Sequence, residues 1–191
     1  MNIKKTWGGA CAALALGFLS ACGGGIDEPD PYVGVWLSGC EASGLHPADR
    51  PNEELKAVYR YTFTKEHDDT LRFRVVQDLY PASGCTGERL ATHSNRSEAN
   101  MYVFQGTKRI DGKEVDKVKV TMGPLGGPQA ADTLVIDGIR YPGDFFISSV
   151  NGEKDVLSRD GLELRFGTGG DVDEEGYPNA LATDRVLHKI L

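Results

Sequence analysis

Tyr59-Arg60-Tyr61-Thr62-Phe63-Thr64 and Leu71-Arg72-Phe73-Arg74-Val75 are the two runs on which the fold turns. In each, every second residue is aromatic or aliphatic, and those between are charged or hydroxylated. Successive side chains of a β-strand point to opposite faces, so the alternation describes strands with one buried and one wet face. Glu66-His67-Asp68-Asp69 between them is a polar turn. Residues 57 to 77 are therefore expected to form a β-hairpin that presents Tyr59, Tyr61, Phe63, Leu71, Phe73 and Val75 to a core.

Upstream, Tyr32 to Cys40 reads as a strand with Val33, Val35 and Leu37 on one face and Tyr32, Gly34 and Trp36 on the other. Apolar residues on both faces suit a central or closing strand. Residues 41 to 54 read as a long connection. Downstream, Tyr80 to Gly87 is turn-rich, 88 to 93 is a short strand, and Met101 to Thr107 is another. Asp111-Gly112 between apolar runs signals a hairpin, with Val115, Val118, Val120 and Met122 continuing and a register break among them. Gly123 to Pro128 ends that strand.

The last third repeats the theme. Thr133 to Ile136 and Ile139 to Tyr141 flank Asp137-Gly138; Phe145 to Val150 precedes Asn151-Gly152 and a short strand near Val156; Gly161 to Phe166 follows. Residues 180 to 191 fit a helix through Leu187, Ile190 and Leu191, or a strand through Val186, His188 and Ile190. About eight to ten short strands define an all-β domain, an antiparallel meander closing into a small barrel or packing as a sandwich.

The N-terminus has a different character. Met1-Asn2-Ile3-Lys4-Lys5 precedes an apolar core from Trp7 to Leu19, with no acid before Asp27. That is the order of a secretory leader, and it is short for a membrane span of roughly 20 apolar residues. Leu19-Ser20-Ala21-Cys22 resembles a bacterial lipobox, which implies cleavage after Ala21 and a diacylglyceryl group on the Cys22 sulfur, with the freed amine acylated as well. A plain secretion signal with a coincidental cysteine is the alternative. Two or more acyl chains hold a protein on a bilayer where one does not. Gly23 after the cysteine, by resemblance to enterobacterial lipoproteins, implies the outer membrane. The expected organisation is a leader at 1–21, a lipidated N-terminus and linker at 22–31, and one β domain at 32–191.

The chain has 191 residues and a formal charge of −7, from 21 basic and 28 acidic residues. The leader takes two of the basic residues and none of the acidic ones, leaving about −9. Such a balance argues against nucleic acid and against electrostatic docking on anionic lipid. Cys40 and Cys85 are the cysteines left to the domain. In an oxidising compartment an isolated pair reads as a disulfide, and a redox or metal pair would want CxxC spacing or nearby histidines. Closing a loop of about 46 residues would stabilise the domain by roughly 4 kcal/mol, less if the geometry is strained.

Gly34-Val35-Trp36 in the first strand of a small meander is similar to the Gly-x-Trp of lipocalin-like barrels. The resemblance implies a cup-shaped barrel with a small apolar ligand. The other motifs of that group, including a basic closing residue, are not evident in the sequence. Trp36 also suits an ordinary core position.

Chemistry is sparse. His46, His67, His93 and His188 are scattered, with no HExxH or His-carboxylate spacing, and no GxSxG elbow is present. Gly167-Thr168-Gly169-Gly170 has Asp171 where a phosphate loop needs lysine. Asp171-Val172-Asp173-Glu174-Glu175-Gly176 offers oxygens to a hard cation but lacks EF-hand spacing, and a solvated acidic loop is the simpler reading. Asn95-Arg96-Ser97 fits a glycosylation sequon without the compartment for it. No metal, cofactor or enzymatic activity is expected. Trp36, Tyr59, Tyr61, Phe63 and Phe73 are the candidate ligand-binding residues, lining a cavity or filling a solid core. The first alternative is a binding module for a small apolar ligand or envelope component. The second is an envelope protein with a solid core that contacts another protein.

Overall fold

A hairpin longer than the alternation alone implies is the seam of the molecule. In the computed structural model, which describes residues 30–46, 50–95, 97–123, 133–136, 139–142 and 150–190, β3 (Lys56–His67) and β4 (Thr70–Tyr80) pair antiparallel along nearly their whole length. The other strands are β1 (Gly34–Ser38), β2 (Glu41–Ala42), β5 (Ala91–Asn95), β6 (Met101–Ile110), β7 (Lys113–Met122), β8 (Thr133–Ile136), β9 (Ile139–Pro142), β10 (Val150–Asp160), β11 (Glu163–Gly167) and β12 (Leu181–Lys189). The sheet order β3-β1-β12-β11-β10-β7-β6-β4, with β4 returning to β3, closes an antiparallel barrel of eight strands. Each strand pairs with its sequence neighbours in the barrel, and β1 against β12 closes the meander. The barrel, not the sandwich, is the outcome.

The closing strand carries the pattern expected of it. Trp36 lies opposite Tyr61 on one side and Lys189 on the other. The 180–191 segment, which fits either helix or strand by sequence, is strand β12, with Leu187 fully buried. Pairing decides it: β1 and β11 each offer an open edge that only an extended segment can hydrogen-bond.

Two short strands of the main sheet lie outside the ring. β2 continues the line of β1 along one edge of β3, and β5 continues that of β6 along the edge of β4. The long hairpin therefore projects beyond the barrel as a lip, with Leu45, Leu55, Ala57 and Leu79 forming a satellite cluster on it. Cys40 and Cys85 are joined across the base of the lip, their Cα atoms 5.7 Å apart. The bond pins the β4–β5 connection to the end of β1.

One expectation is corrected. Asn151-Gly152 is not a turn between strands; β10 runs straight through it, and Gly152 (φ 70°) occupies a bulge between the pairs Asn151–Thr121 and Glu153–Val120. Uninterrupted β7 alongside supplies partners on both sides of the pair, so the extra residue is absorbed as a bulge. A second register shift falls in β6 between Phe104 and Thr107, opposite the β7 run where the sequence pattern breaks. Asp111 (φ 50°) and Gly112 (φ 79°) make the expected tight turn; two consecutive positive φ values are the signature of the hairpin type that Asp-Gly favours. The β8–β9 pair stands apart as a two-stranded sheet. The leader with Cys22, the linker before Asp30, Pro124 to Pro128, 143–149 and Arg96 of the sequon lie outside the described residues.

Candidate functional site

The inner face of the barrel changes character from one end to the other. At the end where β3–β4, β6–β7 and β10–β11 turn, Tyr32 closes the bottom: its ring packs 5.7 Å from Phe104, and its hydroxyl reaches Asp116 and the carbonyl of Leu157. The Asp30–Tyr32 3-10 turn positions it, and Trp36 Nε1 donates to the Tyr32 carbonyl at 2.7 Å. Lys189 Nζ lies 5.4 Å from the centre of the Trp36 ring. A basic residue therefore does close over this tryptophan. It was invisible in sequence because its strand was ambiguous.

One layer up, the rings fill the barrel by packing on one another. Phe73 and Tyr102 lie 4.7 Å apart, Phe63 and Tyr102 5.8 Å, Phe63 and Phe73 6.3 Å. Leu71, Val118, Leu164 and Leu187 complete this layer, each with no exposed surface. Burial pushes the Tyr102 hydroxyl well above the ordinary phenol range.

Above it comes a mixed layer. Tyr61 lies 6.0 Å from Phe63 and 5.5 Å from Phe166, with Val75 opposite it across the hairpin. Its hydroxyl is pushed up to about 12 by burial, only partly countered by Arg185. Asp155 faces Val118 across the β7–β10 ladder, and its Oδ1 accepts from the N–H groups of Val156 (2.7 Å) and Gly167 (3.0 Å). Desolvation outweighs those two bonds and raises its carboxyl to about 6. A carboxylate with few partners in a low-dielectric interior holds its proton longer.

The outermost layer is polar. Tyr59 pairs with Gln77 across the hairpin, and Gln77 Nε2 donates to the Tyr59 hydroxyl at 2.9 Å. Arg185, from β12, lies 5.0 Å over the Tyr59 ring and donates through Nε to Glu41 Oε2 at 2.6 Å. Burial also raises the Tyr59 hydroxyl, while Arg185 beside it opposes the shift.

Of the candidate ligand-binding residues, then, Trp36, Phe63 and Phe73 belong to the packed lower half, whereas Tyr59 and Tyr61 lie toward the open end. Glu41, Gln77, Asp155 and Arg185 were not singled out from sequence. Arg185 does alternate with Leu187 and Lys189, a pattern readable only once the segment is known to be a strand. Glu41 falls in what reads as a loop, because β2 is two residues long.

The acidic stretch 171–176 has a structural use. The β11–β12 connection folds back over the outside of the barrel, where Tyr177 packs with Ile110, Val115 and Val156. Lys108 Nζ bonds Asp173 Oδ2 (2.5 Å), the Pro178 carbonyl (2.9 Å) and Asn179 Oδ1 (3.0 Å). Lys117 Nζ meets Glu175 Oε2 at 2.8 Å, and Lys154 bonds the Glu175 carbonyl. The loop is a strap held by three lysines. Gly167 is required beneath it, since a Cβ there would come within 2.6 Å of Pro178.

No protein-family model matches this chain, nor does any curated protein or solved structure. The class its fold defines is an eight-stranded, antiparallel up-and-down barrel with two outer strands.

Proposed function

We propose that the protein is a lipid-anchored lipoprotein of the bacterial cell envelope, held on the outer membrane through Cys22, whose barrel is a non-enzymatic binding module for a small ligand with an apolar body. The observation that carries the binding reading is the asymmetry of the interior. Its aromatic face runs continuously from the packed Phe63–Phe73–Tyr102 layer to Tyr61 and Tyr59 at the end where every long connection leaves the barrel. Pockets of binding barrels combine apolar walls with a few placed polar groups, and Glu41, Arg185 and Gln77 stand at that end.

The anchor reading rests on the leader and the Leu19–Cys22 motif. It fits the point of entry into the domain: Asp30–Tyr32 is at the tight-turn end. A linker of about nine residues spans at most roughly 30 Å, so the closed bottom lies nearest the lipid and the mouth is left free.

Labelled fatty acid fed to expressing cells should appear on the protein and vanish with Cys22→Ala; unchanged labelling would defeat the anchor reading. N-phenyl-1-naphthylamine should fluoresce on binding to the full chain, and Tyr61→Arg should abolish the signal. A flat titration of the unsubstituted protein would favour the second reading, an envelope interaction protein with a filled core. That reading draws on the contact between the lower rings.

A further inference from the structure

Among the described residues, one buried side-chain polar atom has no hydrogen-bond partner: Oε1 of Glu41. Its companion Oε2 is held by Arg185 Nε at 2.6 Å. That is the one hydrogen bond of the Arg185 side chain among the described residues, so both Nη groups keep their hydrogens for solvent or a ligand. Tyr59 Oη accepts from Gln77 and still has its own hydrogen to give. Glu41 lies opposite Ala57, the inward position next to Tyr59 on β3, so these groups converge at the mouth.

The chemistry of that set is restrictive. A buried carboxylate oxygen accepts and cannot donate, and leaving it unmet costs more than an average hydrogen bond contributes. Whatever meets it must carry an N–H or O–H. The Glu41–Arg185 pair already sums to zero charge, and the Glu41 side chain is 17 % exposed. A carboxylate head would answer Arg185 but press against Glu41; an ammonium would do the reverse. Either leaves a net charge in a partly desolvated site.

We infer that the mouth recognises the head of a neutral amphiphile, whose hydroxyl or amide donates to Glu41 Oε1 and accepts from Arg185 Nη or the Tyr59 hydroxyl, with its apolar chain directed inward past Tyr61, Val75 and Phe166. The inference rests on the binding-module reading above and adds the class of ligand. The same carboxylate and guanidinium set the preference through their balance of charge. Removing one partner therefore shifts selectivity in a predictable direction.

The test uses three probes with one tail and different heads: 1-monomyristoylglycerol, myristate and tetradecylamine. Each is titrated calorimetrically, below its micellar concentration, into the full chain carrying Cys22→Ala so that no attached lipid competes. The monoglyceride should bind about tenfold or more tighter than either charged probe. Glu41→Gln leaves Arg185 uncompensated and should turn the preference to myristate. Arg185→Gln should turn it to tetradecylamine, and serves if the first variant melts early. A charged probe binding the unsubstituted site as tightly as the monoglyceride overturns the inference, as does an order that neither substitution changes. In both cases binding itself stands. If none of the three probes binds, the inference falls together with the binding-module reading.

Discussion

At one end of the barrel each connection between paired strands is two residues long: Asp68-Asp69, Asp111-Gly112 and Gly161-Leu162. At the other, the connections that follow β1, β4, β7 and β11 are all long. The first end is sealed by Tyr32, Trp36 and Phe104, where the Tyr32 hydroxyl reaches Asp116 and the Leu157 carbonyl and Trp36 Nε1 donates to the Tyr32 carbonyl. The second carries an orphaned carboxylate oxygen, a half-used guanidinium and a raised aspartate. The contrast separates what the fold needs from what it does not. The unsatisfied group, which contributes nothing to folding, stands where a ligand would enter.

Substitutions at the two ends should separate in the same way. Phe73→Ala in the packed layer should cost about 3–5 kcal/mol in urea unfolding, because the rings around it cannot all collapse into the space. Tyr59→Ala at the mouth should cost well under half as much while abolishing probe binding. Equal costs would erase the distinction between the ends.

Reducing the Cys40–Cys85 bond should cost about 2–4 kcal/mol. Its effect should fall on the lip, seen as faster hydrogen exchange in β2 and β5 with β6 and β7 still protected. Uniform loss of protection would make the lip part of the barrel's own cooperative unit.

Asp155 gives a pH signature. Its folded value of about 6 lies above the ordinary 3.8, so between those values the native state holds more protons than the unfolded chain. Stability from this group is greatest below about pH 4, falls as pH rises through 6, and is level about a pH unit above that. Asp155→Asn should therefore raise stability at pH 8 by about 3 kcal/mol and change little at pH 4. A gain independent of pH would remove desolvation as the cause.

The smallest effect belongs to the strap. Lys108→Met should cost about 1 kcal/mol and expose 168–180 to limited proteolysis without altering probe binding.

How far the sequence could be read follows the same division. The hairpin of β3 and β4 was legible because one face is wet, so alternation survives in Tyr59 to Val75. That the first strand is central or closing, not a wet edge, was legible from its two apolar faces, and the disulfide from an isolated cysteine pair. The mouth was not. Glu41 sits on a two-residue strand too short for a period, Arg185 on a segment that suits helix and strand equally, and Asp155 three residues after a Gly whose bulge reads as a turn. Each of these polar residues is placed by a partner strand distant in sequence, and local periodicity carries no trace of such a partner.

Native mass spectrometry of the protein purified from cells that express the full chain tests the central claim most directly. The account predicts a species heavier than the acylated chain beginning at Cys22 by one small neutral amphiphile, lost in Tyr61→Arg. A single species at the mass of the chain and its acyl groups, with nothing bound, would contradict it.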